Sequence, residues 1–160
     1  MKILIVGPGY RSPFEGLGEI TENVNKFVKS PEDFGLVVFT GGEDVHPALY
    51  GHTSPLNLCH FNSVRDAKEQ IIFELAKEFE IPMTGICRGS QFLNAMSGGT
   101  LMHHISNHGT NHTAVTNTGE VFEVTSTHHQ MCLPAKDGVI LAWSEFQRSH
   151  VYYWNEDKKI

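Results

Sequence analysis

Cysteine is scarce in this chain and nothing about its spacing suggests pairing. There are 3 cysteines in 160 residues, at Cys59, Cys87 and Cys132, with no Cys-x-x-Cys. An odd, scattered set excludes a disulfide framework and a cysteine zinc site, and implies a reducing, cytoplasmic setting. Basic runs are also missing. Lys and Arg number 12 against 18 Asp and Glu, for a formal charge of -6. No cluster of Lys or Arg exceeds the pair near the C-terminus, so nucleic acid is not an expected partner. Long apolar stretches are absent too. "KILIV" is far too short to span a bilayer or to serve as a signal core, so no membrane association is expected. Internal repeats, linkers and low-complexity segments are lacking, and residues 1–160 read as one domain.

What remains is a chain of 40% hydrophobic and 19% charged residues, in proportions that suit a globular fold. "KILIVGPG" and "GLVVFTGG" are short continuous apolar runs ended by glycine turns, the pattern of buried parallel strands. "IPMTGIC" reads as a third strand, with Pro82 at its start. Between them, Glu19 to Val28 and Val64 to Phe79 show helical spacing; in the second, Val64, Ile71, Ile72, Leu75 and Phe79 are expected on one apolar side. Ser90 to Met96 predicts another helix, ended by Ser-Gly-Gly. "EDVHPALYGHTSPLN" has too many turn residues for a regular element and predicts a surface loop.

Strands alternating with helices imply an α/β fold, an open and mostly parallel sheet with helices on both faces. Ligands of such sheets sit beyond the C-terminal ends of the strands. Gly7-Pro8-Gly9, Gly41-Gly42 and Cys87-Arg88-Gly89 all fall there. The second half changes character. "HTAVTNTGEVFEVTSTHHQ" alternates, with a turn at Asn117 to Gly119, and "GVILAWSEF" and "VYYWN" read as further strands. An antiparallel C-terminal extension is therefore expected. Trp143, Tyr152, Tyr153 and Trp154 would make an aromatic patch if exposed.

Chemistry concentrates in "TGICRGSQFLNAMSGGTL". A cysteine at a sharp strand-to-helix turn is pushed out of the fold. The helix N-terminus favours its thiolate, and the first-turn N–H groups can hold an oxyanion. Gly85 and Gly89 would let strand and helix close around it. The same Gly-x-Cys-x-Gly also fits a buried cysteine in a tight turn, so the turn alone leaves both roles open.

Four separated segments, in order, settle on one resemblance. "FTGGEDVHPALYG", "VRDAKE", "GICRGSQFLNAMSGGTL" and "STHHQ" together resemble the class I glutamine amidotransferases, most of all the peptidase C26-like branch that includes γ-glutamyl-γ-aminobutyrate hydrolase. They cover roughly Val38 to Gln130. The resemblance implies a flavodoxin-like sheet, no cofactor, and cleavage of a small-molecule γ-glutamyl amide through a thioester on Cys87. It implies an oxyanion hole from the backbone N–H groups of Gly42 and Arg88. Gln91 would bind the glutamyl end, and Ser126, His128 and His129 would border the substrate pocket. Arg65 and Asp66 are expected to be structural, tying the long loop to the sheet, and Cys59 and Cys132 to be bystanders.

One part of the family pattern is missing. Class I amidotransferases draw a base and its acid from a late His-Pro-Glu, and residues 1–160 contain none. Three explanations follow: a shortened version of a longer enzyme, a substitute base with His128 the candidate, or a relative that binds γ-glutamyl ligands or a protein without turnover. If the chain is an ammonia-supplying subunit, a synthetase partner must be another protein. His104, His108 and His112 are spaced by four, but the Ser, Asn and Gly between them disfavour a helix, so no metal site is expected. A flavin or nucleotide site is disfavoured at Gly7-Pro8-Gly9, where proline removes an N–H that a phosphate would use.

Overall fold

The computed structural model describes residues 1–53, 58–105, 109–144 and, for the backbone alone, 152–153. Its centre is a parallel sheet in the order β2-β1-β3-β4, formed by β1 (Lys2–Val6), β2 (Glu19–Thr21), β3 (Phe34–Phe39) and β4 (Met83–Gly85). Three helices accompany it: α1 (Val24–Lys29), α2 (Ser63–Glu78) and α3 (Arg88–Met96). Period-2 alternation splits the strand side chains between two clusters. Leu4, Val6, Val37 and Phe39 join Phe27 of α1, Ile72, Phe73 and Ala76 of α2, and Phe92 and Ala95 of α3. Ile3, Ile5 and Val38 point the other way and meet Phe14, Ile20, Leu36 and Ile86. Each fully buried side chain of this size contributes about 1.5–3 kcal/mol of transfer free energy. The larger cluster is therefore the main source of stability.

Two helices differ from expectation. The segment Glu19–Val28 is not one helix. Glu19, Ile20 and Thr21 pair parallel with β1, and only then does α1 begin. Asn23 sets that start: its side chain accepts the Lys26 N–H at 3.3 Å, satisfying a donor the helix leaves open. In α2 the extent matches but the buried face does not. Val64 and Ile71 are 65% and 63% exposed, whereas Asp66 and Glu69 are buried beside Ile72, Phe73 and Ala76. Val64 and Ile71 face a groove of about 860 Å³, together with Val24 and Val28 of α1. Helical periodicity locates an apolar stripe but cannot foresee that two carboxylates will turn inward to meet a buried arginine.

The long loop is also less superficial than expected. Its Pro47–Tyr50 stretch is a 3-10 turn with Pro47 and Tyr50 buried, and Val45 is wholly covered. Residues 54–57 lie outside the described part.

Beyond α3 the ladders are antiparallel. β5 (Thr100–Met102) pairs with β9 (Met131–Leu133), and β6 (His104–Ile105) with β11 (Tyr152–Tyr153). β7 (His112–Thr116) lies between β8 (Val121–Val124) and β10 (Ala142–Ser144). The β7–β8 turn closes at Gly119, at φ 87°, as the Asn117–Gly119 signal predicts. Among the described residues, the strand expected in "GVILAWSEF" covers Ala142–Ser144, and Val139, Ile140 and Leu141 before it are exposed. Trp143 is half exposed; Trp154 and the side chains of Tyr152 and Tyr153 lie outside the described part.

The β4–α3 junction is packed backbone against backbone. A Cβ on Gly89 would sit 2.1 Å from the Phe39 carbonyl oxygen, and one on Gly85 would sit 2.3 Å from the Gly89 carbonyl carbon. Both obstacles are backbone and cannot swing aside. Gly89→Ala is expected to destabilise the protein by about 1–3 kcal/mol or more. Urea denaturation should show this as a lower midpoint at unchanged slope. Gly41→Ala is the control, because its nearest neighbours would be at an ordinary 3.4–3.5 Å.

Candidate active site

Cys87 is the N-cap of α3 and joins it to β4. Its backbone stands at φ 52°, ψ -116°, a conformation side-chain-bearing residues rarely adopt. Gly85 and Gly89 allow it by letting strand and helix touch. The expectation of a strained, glycine-flanked elbow therefore matches the backbone found. Gln91 N–H and Ser90 N–H both donate to the Cys87 carbonyl, so the elbow opens directly into the helix. Arg88 is the first helical residue, a position whose N–H has no intrahelical acceptor.

The Gly41-Gly42 turn after β3 lies beside the elbow. A Cβ on Gly41 would be 3.5 Å from the Cys87 Cβ and 3.4 Å from the Tyr10 hydroxyl oxygen. Tyr10, itself at φ 61°, thus brings the loop after β1 to the same place. Gly42 has φ 144°, and a Cβ there would collide with Arg65 Nη1 at 2.1 Å. Cys87 does not line the groove between α1 and α2, which opens on the other side of Arg65.

Of the other expected residues, Gln91 is 6% exposed and its Nε2 reaches the Gln130 carbonyl at 3.5 Å. Ser126 is buried, with a hydroxyl that bonds to no protein group among the described residues. His128 Nδ1 donates to the Gln130 carbonyl at 2.8 Å, and burial holds its imidazole below the usual range. That bond leaves the lone pair on Nε2. His129 is held differently: Nε2 meets Asp44 at 3.1 Å, and the Asp44 carboxylate raises its pKa. Its Nδ1 faces His104 Nδ1 at 3.2 Å, and burial lowers the pKa of His104. The Ser126–Gln130 segment is thereby tied both to α3 and to the loop that begins Gly41-Gly42. Among the described residues, these imidazoles engage Gln130, Asp44 and His104 rather than Cys87.

The remaining cysteines separate. Cys132 lies in β9 against the core, and burial pushes its thiol up to about 11. Cys59 is more engaged than a bystander. Its sulfur accepts from Gln130 Nε2 at 3.3 Å and lies 3.5 Å from His103 Nδ1, and His103 Nε2 is 2.9 Å from His52 Nδ1. Among the described residues no three His, Cys, Asp or Glu side chains are arranged to hold a metal, and His108 lies outside them. No helix among them is long and apolar enough to cross a membrane.

The sequence assigns Arg88 only a backbone N–H, and the structure adds a role for its side chain. It is 1% exposed, donates to Glu69 and Asp66, and lies 5.4 Å over the Phe92 ring. Burial pushes the Asp66 carboxyl up, against the pull of Arg88. Asp66 also accepts the His46 N–H at 3.3 Å, so it ties the long loop to α2, where a tie to the sheet was expected. Arg65 reaches the Thr40 and Gly41 carbonyls at 3.0 Å each and Glu69 at 2.7 Å. "VRDAKE" was the available signal: Arg65, Asp66 and Glu69 fall on one helical flank at i, i+1 and i+4.

Known proteins place this arrangement. The Peptidase C26 family profile matches residues 20–151. The glutamine amidotransferase-like protein RP404 of Rickettsia prowazekii is 44% identical over 71 residues, 44% of this chain and 25% of its own length. A glutamine amidotransferase-like YvdE homolog of Lactococcus lactis subsp. cremoris is 37% identical over 86 residues, 54% of this chain and 44% of its own. The matches thus span less than half the length of these relatives. A glutamine amidotransferase of Thermotoga maritima shares the fold at TM-score 0.63 and 16% identity, over 97% of this chain and 72% of that one. Because the profile match covers most of the sequence and runs through the elbow and both segments that meet it, the chain belongs to the Peptidase C26 family of class I glutamine amidotransferase-like proteins.

Proposed function

We propose that this chain cleaves γ-glutamyl amides, glutamine or a γ-glutamyl amine, through a thioester on Cys87. The observation that carries the reading is the elbow: a cysteine at φ 52° on a helix N-terminus, beside a glycine turn that approaches within contact distance. The thiolate sulfur forms a bond to the amide carbon and the carbonyl π pair moves onto oxygen. The N–H groups of Gly42 and Arg88 stabilise that charge. Among the described residues neither donates to a backbone carbonyl, which leaves both available. Collapse of the adduct breaks the C–N bond, and the departing amine takes the proton removed from the thiol. Water then adds to the thioester, the C–S bond breaks, glutamate leaves and the thiol is restored. His128, whose Nδ1 is held by the Gln130 carbonyl and whose pKa is lowered by burial, is the proton carrier this chain's own residues offer. Gln91, Ser126 and His129 would shape the glutamyl pocket. An ammonia-using synthetase, if one is served, would be a separate protein.

A second reading has its own support: His128 and His129 are engaged away from Cys87. A γ-glutamyl-ligand binder with little turnover would look the same. One experiment separates them. A chloroketone analogue of glutamine is expected to alkylate Cys87 selectively, as read by peptide mass spectrometry, with glutamine protecting. Cys132 should stay unlabelled because its thiol is held near 11. Labelling with turnover of glutamine or a γ-glutamyl anilide supports the amidase. Protected labelling without turnover supports the binder, and labelling spread evenly over the three thiols overturns both.

A further inference from the structure

We propose that Arg65 is a positioning residue that aims the Gly42 N–H at the oxyanion, an inference that rests on reading Cys87 as the nucleophile. In a trans peptide the C=O and the following N–H point in opposite directions. Arg65 Nη1 holds the Gly41 carbonyl at 3.0 Å and Nη2 holds the Thr40 carbonyl at 3.0 Å. Fixing the Gly41 oxygen on the guanidinium therefore fixes the Gly42 N–H away from it. The side away from it is the side of Cys87: the missing Cβ of Gly42 points into Arg65, while that of Gly41 points at the Cys87 Cβ, 3.5 Å off. The turn is sandwiched between guanidinium and thiol.

Glycine makes the sandwich possible on both flanks of the arginine. A Cβ on Gly7 would lie 2.9 Å from Nη2, and one on Gly42 would lie 2.1 Å from Nη1. The third edge of the guanidinium, Nε, is held by Glu69 at 2.7 Å. The other oxygen of that same carboxylate takes Arg88, the residue that carries the second oxyanion N–H. One buried carboxylate thus sets both donors in a common frame. Lysine could not replace Arg65 here, because three bonds in one plane need the rigid fork. Donation to the Gly41 oxygen also polarises the peptide and strengthens its N–H as a donor.

The test compares two reactions of Cys87 in the wild type and Arg65→Lys. Alkylation by iodoacetamide displaces iodide at a saturated carbon and forms no oxyanion. Acylation by a γ-glutamyl anilide forms one. Arg65→Lys is expected to slow acylation about 10²-fold while alkylation stays within about twofold. Equal slowing of both, or undiminished acylation, overturns the proposal. A readout independent of turnover is the ¹⁵N order parameter of the Gly42 amide, expected near 0.85 in the wild type and below about 0.6 in the variant. An unchanged Gly42 value overturns positioning by Arg65 whatever the substrate. A changed value in a protein whose wild type is never acylated leaves positioning standing and removes the amidase reading instead. Arg65→Gln, which keeps an amide donor, takes the place of Arg65→Lys should the lysine variant not fold.

Discussion

Arg88→Met is expected to destabilise the protein by about 3–5 kcal/mol, the largest effect of any substitution considered. The guanidinium neutralises two carboxylates whose side chains are 3% and 1% exposed. Removing it strands Asp66 in a poorly hydrated interior and leaves Glu69 to Arg65 alone, and the gain in apolar packing against Phe92 offsets little of that. Against a typical domain stability of 5–15 kcal/mol, such a loss brings the protein close to unfolding. The cost should depend on pH, and its sign is fixed. Burial already raises the folded-state pKa of Asp66, and without the pull of Arg88 it rises further above its unfolded value. Stability is then retained below the unfolded carboxylate range, about 4, and lost as pH climbs through the raised folded value. Denaturation of wild type and variant near pH 4.5 and pH 7 should show the difference widening at pH 7. A difference under about 1 kcal/mol, or one that ignores pH, would contradict a charge-neutral buried network. Arg88→Lys restores the charge without the fork and should fall between the two.

Cys87→Ser should reduce γ-glutamyl anilide cleavage by at least about 10⁴-fold while leaving the circular dichroism and urea midpoint nearly unchanged. The hydroxyl fits the same elbow, so the loss reports chemistry and not packing. Serine is deprotonated far less readily than cysteine, and no described imidazole is bonded to this position to compensate. Cys59→Ser and Cys132→Ser should retain turnover. Should Cys59→Ser abolish it instead, the Gln130–Cys59–His103 contacts would have to be reread as part of the reaction.

The sheet, the elbow and the glycine turns were legible because each is a local bargain between backbone and sequence. Continuous apolar runs ending in glycine can be read without knowing their neighbours, and Gly85-x-Cys87-x-Gly89 carries its own geometry. The edge strand at Glu19–Thr21 was hidden because three residues cannot establish a period, and Asn23 marked the true helix start more clearly than the apolar spacing did. The buried face of α2 was illegible for a different reason. Asp66 and Glu69 look like solvated charges until Arg88, 22 and 19 residues away, is folded against them. Likewise, "VRDAKE" announces a motif, but not that its arginine grips the backbone of the turn after β3.

The four charges at positions 65, 66, 69 and 88 also constrain how this sequence can vary. Two are positive and two negative; replacing Glu69 takes a partner from Arg65 and from Arg88, and replacing Arg88 takes one from Asp66 and from Glu69. A lineage cannot exchange one of them for an apolar residue and wait for the others, since every intermediate holds an unmatched buried ion. The set should therefore be inherited whole or lost whole, and any descendant that has abandoned it should have abandoned the Gly-Gly turn as well.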